Sequence, residues 1–209
     1  MSRANAGTVT LAPAPAAEPA LAAALIHATD PHVFGYLHEH DEARWRGHLG
    51  HQWLAEQGIF SHRLATAALH EGRLVGIELG FDRARQQAEL VPFVTQAQAW
   101  LDPEGFAALA RWFEYGGFVL PPVPEDAYYL QNLAIVPEVR GRGIGERLLG
   151  GAVDRARAAG LARLHLDLYA ENPARRLYER AGLRTIVETR VPPLEAEGIG
   201  VHLRMELKL

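Results

Sequence analysis

Cysteine is absent from this 209-residue chain. That absence removes disulfides, thiolate nucleophiles, iron–sulfur ligation and the cysteine-containing zinc motifs together, and it fits a reducing compartment. An apolar run approaching the roughly 20 residues that span a bilayer is also missing. Near the N-terminus Arg3 is followed by Pro13, Pro15 and Pro19, which interrupt the apolar stretch a signal peptide needs. The expectation is a cytoplasmic protein without a membrane partner. An excess of positive charge is lacking too: 21 Lys plus Arg stand against 25 Asp plus Glu, a formal charge of -4. No global field exists to grip nucleic acid or anionic lipid, so any anion site must be local.

What is there is an ordinary soluble composition, 48% hydrophobic and 22% charged, enough to build a core. The length fits one domain over residues 1–209. Thr8 to Leu11 reads as a strand and the Ala-rich run Glu18 to Ala28 as a helix, with Pro19 in its first turn. Glu42 to Ala55 has Trp45, Leu49 and Trp53 one turn apart, which predicts a second helix. Ser61 to Leu69 and Leu74 to Phe81 flank His70-Glu71-Gly72-Arg73 as a hairpin. Between Asp82 and Gly117, Leu90, Phe93, Val94 and Ala97, then Phe106, Leu109, Ala110 and Phe113, predict two helices broken around Asp102-Pro103. Pro121, Pro122 and Pro124 make a rigid connector. A β-α-β unit follows: strand Ala127 to Val136, helix Gly143 to Ala159 stopped by Gly160, and strand Leu164 to Tyr169. Asn172-Pro173 opens a short helix to Ala181, and Arg184 to Val191 and Gly200 to Leu207 read as two last strands.

Chemistry concentrates in Val139-Arg140-Gly141-Arg142-Gly143-Ile144-Gly145, between a strand and a helix. Its glycines let backbone N–H groups converge on an anion, and the helix N-terminus adds about half a positive charge. Walker A is excluded because Gly-Lys-Ser/Thr is missing, and the dinucleotide fingerprint fails because its third glycine falls one residue early. This loop resembles the pyrophosphate loop of the GNAT superfamily of acyl-CoA-dependent N-acetyltransferases, Gln/Arg-x-x-Gly-x-Gly/Ala. It follows the strand Leu130-Gln131-Asn132-Leu133-Ala134-Ile135-Val136-Pro137. Downstream, Asn172 to Leu183 is similar to the family segment that runs from an Asn through a Tyr to Gly-Phe, with Leu183 for the Phe. The resemblance covers Tyr128 to Leu183.

The resemblance implies an α/β (α+β) fold: a mixed, mostly antiparallel sheet flanked by helices, opened between the central parallel strands Ala127–Val136 and Leu164–Tyr169 to admit CoA. It implies acetyl-CoA as donor, with no metal, and direct transfer to a primary amine of a small molecule or peptide. The backbone of Val139, Arg140, Gly141, Arg142, Gly143, Ile144 and Gly145 would hold the pyrophosphate, Arg140 and Arg142 adding charge. Leu133, Ala134 and Ile135 would offer backbone groups to the pantetheine arm. Asn172 would contact the cofactor, cap its helix, or do both, and Arg175 or Arg176 would reach the 3′-phosphate or remain solvated. Tyr178 takes the family's acid position, since a phenol with a pKa near about 10 stays protonated at neutral pH and can donate to a thiolate.

The base is not apparent. Many family members carry a carboxylate on the strand before the loop, where this chain has Gln131 and Asn132. Glu125, Asp126, Glu78, Asp167 or a water chain are the substitutes. An acceptor whose amine is already largely neutral would relax the need. The same amides motivate the alternative of a non-catalytic acyl-CoA sensor or interaction module. Eight of the ten histidines fall between His27 and His70, but their spacing gives no coherent metal-ligand set. Trp45, Trp53, Trp100 and Trp112 read as core anchors or as walls of an acceptor pocket. The helical segment at 82–117 departs from the minimal family pattern and has three readings: a lid on the acceptor cleft, a homodimer contact, or a cover for a sheet edge.

Overall fold

Side chains that alternate across a strand let one sheet carry helices on both faces. The computed structural model describes residues 9–209 and has that layered form. Its elements in chain order are β1 (Val9–Pro13), α1 (Pro19–His27), α2 (Pro31–Leu37), α3 (Glu42–Leu54), β2 (Ala65–His70), β3 (Arg73–Asp82), α4 (Arg83–Trp100) and α5 (Pro103–Val119). There follow β4 (Ala127–Ile135), α6 (Ile144–Ala158), β5 (Arg163–Tyr169), α7 (Arg175–Arg180), β6 (Arg184–Thr189), α8 (Pro192–Glu195) and β7 (His202–Lys208). The strands form one sheet in the order β1-β2-β3-β4-β5-β7-β6. Every pairing is antiparallel except β4 with β5. The fold is the mixed, mostly antiparallel arrangement expected, with its parallel pair in the expected place.

Local chemistry explains the boundaries. Glu71 and Gly72 both have positive φ (51° and 78°), the turn that matches strand twist, so His70 and Arg73 pair directly and the hairpin loop is shorter than the sequence suggests. The first strand begins within the described residues at Val9; Thr8 lies outside them. Helix α2 was not anticipated, although Asp30 caps it by accepting from Val33 N–H at 3.1 Å and Pro31 opens it. Helix α7 starts at Arg175, two residues later than expected. Asn172 Oδ1 accepts from Ala174 N–H at 2.9 Å in a turn that precedes the helix.

Two cores flank the sheet. On one side α1 to α5 bury Trp45, Leu49, Trp53 and Trp112 against Ile77, Leu79 and Tyr129. On the other, α6 and α7 cover Leu130, Leu164, Leu166 and Leu168. Trp100 is a correction to the core-anchor reading. It is 37% exposed, and its ring stacks on His48 at 5.3 Å in the slot left by Gly47, where a Cβ would stand 2.7 Å from Trp100.

Strand β4 changes phase midway. Leu79 pairs with Asn132 but Gly80 pairs with Leu130, so Gln131 is an extra residue and forms a β-bulge. Leu130 and Leu133, three residues apart, therefore face the same side, both packing on the α6 face. Gly80 lets the bulged backbone approach, for a Cβ there would lie 2.7 Å from the Tyr129 carbonyl oxygen.

A buried histidine relay joins the helical layer. His38 Nδ1 donates to the Phe34 carbonyl (2.7 Å), His48 Nδ1 donates to His38 Nε2 (2.9 Å), and Gln52 Nε2 donates to His48 Nε2 (3.3 Å). Burial pushes His38 down to about 4, and burial together with the His38 charge pushes His48 down to about 3. Both rings stay neutral in the fold. Their contribution is complete above the unfolded value near 6.5 and is lost as pH falls through about 4 and about 3. Thermal melts between pH 7 and pH 4 should show a falling midpoint, and His48→Gln should flatten that slope. An unchanged slope would remove the relay as its cause.

Candidate active site

The parallel pairing that organises the site is short. Only Ala127 with Arg163, Tyr128 with Leu164 and Tyr129 with His165 are in register, although β4 continues to Ile135 and β5 to Tyr169. Past Tyr129 the two strands diverge, and a cavity of about 510 Å³ opens between them. Leu133, Ala134 and Ile135 line one wall and Leu166 to Tyr169 the other. On its far side β4 remains paired with β3, Leu133 opposite Glu78 and Ala134 opposite Ile77. The near edge of β4 therefore faces the cavity without a strand partner.

At the end of β4 the chain makes a 3-10 turn, Pro137–Val139, and enters the glycine loop. Gly141 and Gly143 both have φ of +76°, a conformation that strains residues with a Cβ. Gly143 is the N-cap of α6, and no side chain caps this helix. Among the described residues, the amides of Gly141 through Glu146 donate to no protein group, while Arg147 N–H already closes the first helical turn onto the Gly143 carbonyl. Gly145 serves packing: a Cβ would come within 3.1 Å of Leu177 and 3.2 Å of Ile135, so it brings α6 close to β4 and α7. Val139, Arg140, Gly141, Gly143, Ile144 and Gly145 line the cavity; the exposed Arg142 does not. Arg140 Nε donates to the Ile135 carbonyl at 3.2 Å. Neither Arg175, which pairs with Glu179 at 2.8 Å, nor Arg176 lines the cavity. A guanidinium that sequence reasoning passed over, Arg180, does so, paired with Glu146 at 3.1 Å.

Tyr178 and Asn172 close the opposite side. Tyr178 is buried, and its hydroxyl bonds to no protein group among the described residues. Burial holds the phenol well above its ordinary range, so it remains a proton donor. Asn172 ties two loops together: Oδ1 accepts from Ala174 N–H and Nδ2 donates to the Thr29 carbonyl at 3.2 Å.

A second cavity, of about 400 Å³, adjoins the first beneath α2, α4 and α5. Thr29, Gln131 and Asp167 line both, and mark the junction. Asn132 Nδ2 donates to Thr29 Oγ1 at 2.8 Å, and Gln131 Nε2 donates to the Ile59 carbonyl at 2.8 Å. The bulge thus aims both amides toward the helical side. Leu90, expected on the apolar face of α4, is 36% exposed because it forms part of this cavity wall.

Of the four carboxylates weighed as bases, only Asp167 reaches the junction. Glu125 and Asp126 pair with Arg83 and Arg163 at 3.8 and 2.8 Å, and neither lines a cavity. Glu78 is fully buried on the α6 side of the sheet, paired with Arg155 and accepting from Tyr128 Oη at 3.2 Å; burial raises its carboxyl. Asp167 is itself committed: Arg204 donates to it through Nε (2.9 Å) and Nη2 (2.6 Å), and Tyr129 Oη donates at 2.9 Å. Arg204 also donates to the Pro121 and Pro122 carbonyls at 2.5 and 3.0 Å, fastening the proline connector to the sheet.

Asp30 is a further carboxylate at the second cavity. His202 places both ring nitrogens against acceptors, Nε2 on Asp30 Oδ2 at 2.7 Å and Nδ1 on the Gly200 carbonyl at 3.0 Å. Burial favours the neutral ring, but the hydrogen bond and charge of Asp30 outweigh it, and the imidazole is raised above 6.5. Among the described residues no group of three or more His, Asp or Glu is disposed to hold a metal ion, and no helix is long and apolar enough to cross a membrane.

Comparison with known proteins places this geometry. Residues 30–183 match the family model described as Acetyltransferase (GNAT) family. The chain belongs to that family. Over 107 residues, 48% of this chain and 70% of the relative, it is 34% identical to the [Ribosomal protein bS18]-alanine N-acetyltransferase of Haemophilus influenzae. Among solved structures it is similar in fold to an acetyltransferase (TM-score 0.68, 20% identity, 95% of this chain and 98% of that one). It is also similar to an N-acetyltransferase from Staphylococcus aureus Mu50 (TM-score 0.66, 15% identity, 95% and 100%). As a family member it is a GNAT-type acetyltransferase using acetyl-CoA. The free amides of the glycine loop and the unpaired edge of β4 fit that donor.

Arg204→Leu would strand the buried Asp167 carboxylate and release the proline connector. Breaking one partner of a buried pair typically costs about 3 to 5 kcal/mol. Urea unfolding should register a loss of that order; a loss below about 1 kcal/mol would show the pair to be dispensable.

Proposed function

We propose that this protein moves the acetyl group of acetyl-CoA onto a primary amine of a small molecule or peptide by direct attack, with Tyr178 as the acid. The observation that carries the reading is the meeting of two cavities at Thr29, Gln131 and Asp167, one of them lined by Gly141 and by residues 143 to 146, whose amides are unpartnered, and by Tyr178. The backbone from Gly141 to Gly145 holds the pyrophosphate, where converging N–H groups and the α6 N-terminus favour negative charge; the Val139 and Arg140 amides, expected in this set, are instead taken by the Val136 and Pro137 carbonyls at 3.3 and 3.2 Å and shape the turn. Leu133, Ala134 and Ile135 receive the pantetheine arm as an added strand, and a strand-edge N–H polarises the thioester carbonyl. Asn172 acts by holding the loop at the α7 end of the cavity against Thr29.

The chain's own residues divide the proton traffic. Tyr178, kept protonated by burial, gives its proton to the departing sulfur. No free carboxylate meets the incoming amine among the described residues, since Asp167 is held by Arg204 and Tyr129. The amine therefore enters in its neutral form and loses its proton to water. The [Ribosomal protein bS18]-alanine N-acetyltransferase relative, named for an alanine acceptor, keeps a peptide α-amine within this reading.

Tyr178→Phe should lower turnover by about 10²-fold or more, the usual worth of a general acid, with acetyl-CoA affinity by calorimetry unchanged. Full activity in that variant would discard the acid role. Because burial raises the phenol, the wild-type rate should climb with pH as the amine deprotonates, with no Tyr178-dependent fall below about pH 10. Gly143→Glu combines a strained φ with like charge against the pyrophosphate, and should weaken acetyl-CoA binding by at least about tenfold. Tight acetyl-CoA binding with no amine acetylated would turn the reading toward a non-catalytic sensor.

A further inference from the structure

The second cavity carries a chemical signature of its own. Its walls are largely aromatic and aliphatic, among them Phe34, Phe60, Phe93, Trp112 and Phe113, with the uncharged Gln86 contributed by α4. Among the described residues no lysine, arginine or histidine lines it, so a carboxylate brought inside would meet no counter-charge. Its two carboxylates are already neutralised from behind, Asp30 by His202 at 2.7 Å and Asp167 by Arg204 at 2.6 Å. A second ammonium would find no unpaired anion. Polar side chains gather at the junction, where Gln131 Nε2 lies 3.3 Å from Asn132 Oδ1 and Asn132 Nδ2 lies 2.8 Å from Thr29 Oγ1. That is where a reacting nitrogen would meet the thioester.

We propose, resting on the acetyl-transfer reading above, that the acceptor is an apolar monoamine: one primary amine on an aromatic or branched aliphatic body, with neither a carboxylate nor a second ammonium. The cavity volume of about 400 Å³ suits such a molecule. The missing base and the apolar walls act together, because a low-dielectric cavity disfavours the ammonium form and delivers the neutral nucleophile. In the reaction the nitrogen lone pair forms the bond to the carbonyl carbon and the carbon–sulfur bond breaks. The nitrogen releases one proton to water, the sulfur takes one from the Tyr178 hydroxyl, and water reprotonates the phenol.

The test pairs acetyl-CoA calorimetry with turnover of four acceptors: 2-phenylethylamine, phenylalanine, 1,4-diaminobutane and an alanine-led tripeptide. The kcat/KM for 2-phenylethylamine should exceed each of the others by at least about 100-fold, since each rival buries a charge or polar backbone the walls cannot satisfy. Phe113→Lys and Leu90→Lys alter wall residues that are 47% and 36% exposed, so the fold tolerates them. Each should shift the ratio of 2-phenylethylamine to phenylalanine turnover by at least about tenfold toward phenylalanine, leaving acetyl-CoA affinity unchanged. Acetyl-CoA binding with preference for any of the other three acceptors, or unshifted ratios in both lysine variants, would overturn the acceptor class alone, whereas acetyl-CoA binding with no turnover of any would overturn it and turn the acetyl-transfer reading toward the sensor. Absence of acetyl-CoA binding would take down the acetyl-transfer reading as well.

Discussion

The site depends on hydrogen bonds that two neighbouring strands do not make. β4 and β5 stay in register for three residue pairs and then part, leaving the edge of β4 open from Leu130 to Ile135. An open edge inside a sheet is expensive unless something satisfies it. Here the divergence is held by fixed contacts: Arg204 pins Asp167 of β5 to the proline connector, Asn172 pins the loop after β5 to Thr29, and Gly145 lets α6 sit against β4. The wedge is consequently a feature of the folded chain. In the proposed reading an extended ligand supplies the missing strand, and a wedge already formed lowers the ordering cost of binding.

Electrostatics is organised with similar economy. The chain has a formal charge of -4, yet the start of α6 presents a local positive potential built from backbone amides, which carry no net charge. Around the junction, charge occurs as matched pairs, Asp30 with His202 and Asp167 with Arg204. These pairs fix geometry without presenting a free ion to either cavity. Buried pairs of this kind cost desolvation, and their return is positional: Asp30 with His202 joins the start of α2 to β7, and Asp167 with Arg204 joins β5 to β7, where Arg204 also holds the proline connector.

Much of the wedge side was legible in the sequence. The glycine loop, the strand before it and the Asn-to-Tyr segment after β5 are local patterns, because a positive φ, a helix start and a turn are written within a few residues. The helical side was harder to read. Helix α2 had its signal in Asp30-Pro31, but a seven-residue helix gives too little periodicity to stand out. The bulge at Gln131 depends on Gly80 of the preceding strand, far earlier in the chain, and nothing within β4 announces the phase change that turns Leu133 to the same face as Leu130. Glu78, weighed as a base, proved to be sealed on the opposite face with Arg155, because strand pairing decides which way an alternating residue points. The partners that neutralise Asp30 and Asp167 lie 172 and 37 residues away, and no local motif encodes such pairings.

Thr29 occupies a particular place in this arrangement. Its carbonyl accepts from Asn172 and its hydroxyl from Asn132, and it borders both cavities at the corner between α1 and α2. One short corner is thereby bolted to the bulged strand and to the approach to α7 at once. A change at this corner bears on both walls at once, so the two chambers share a common hinge pin.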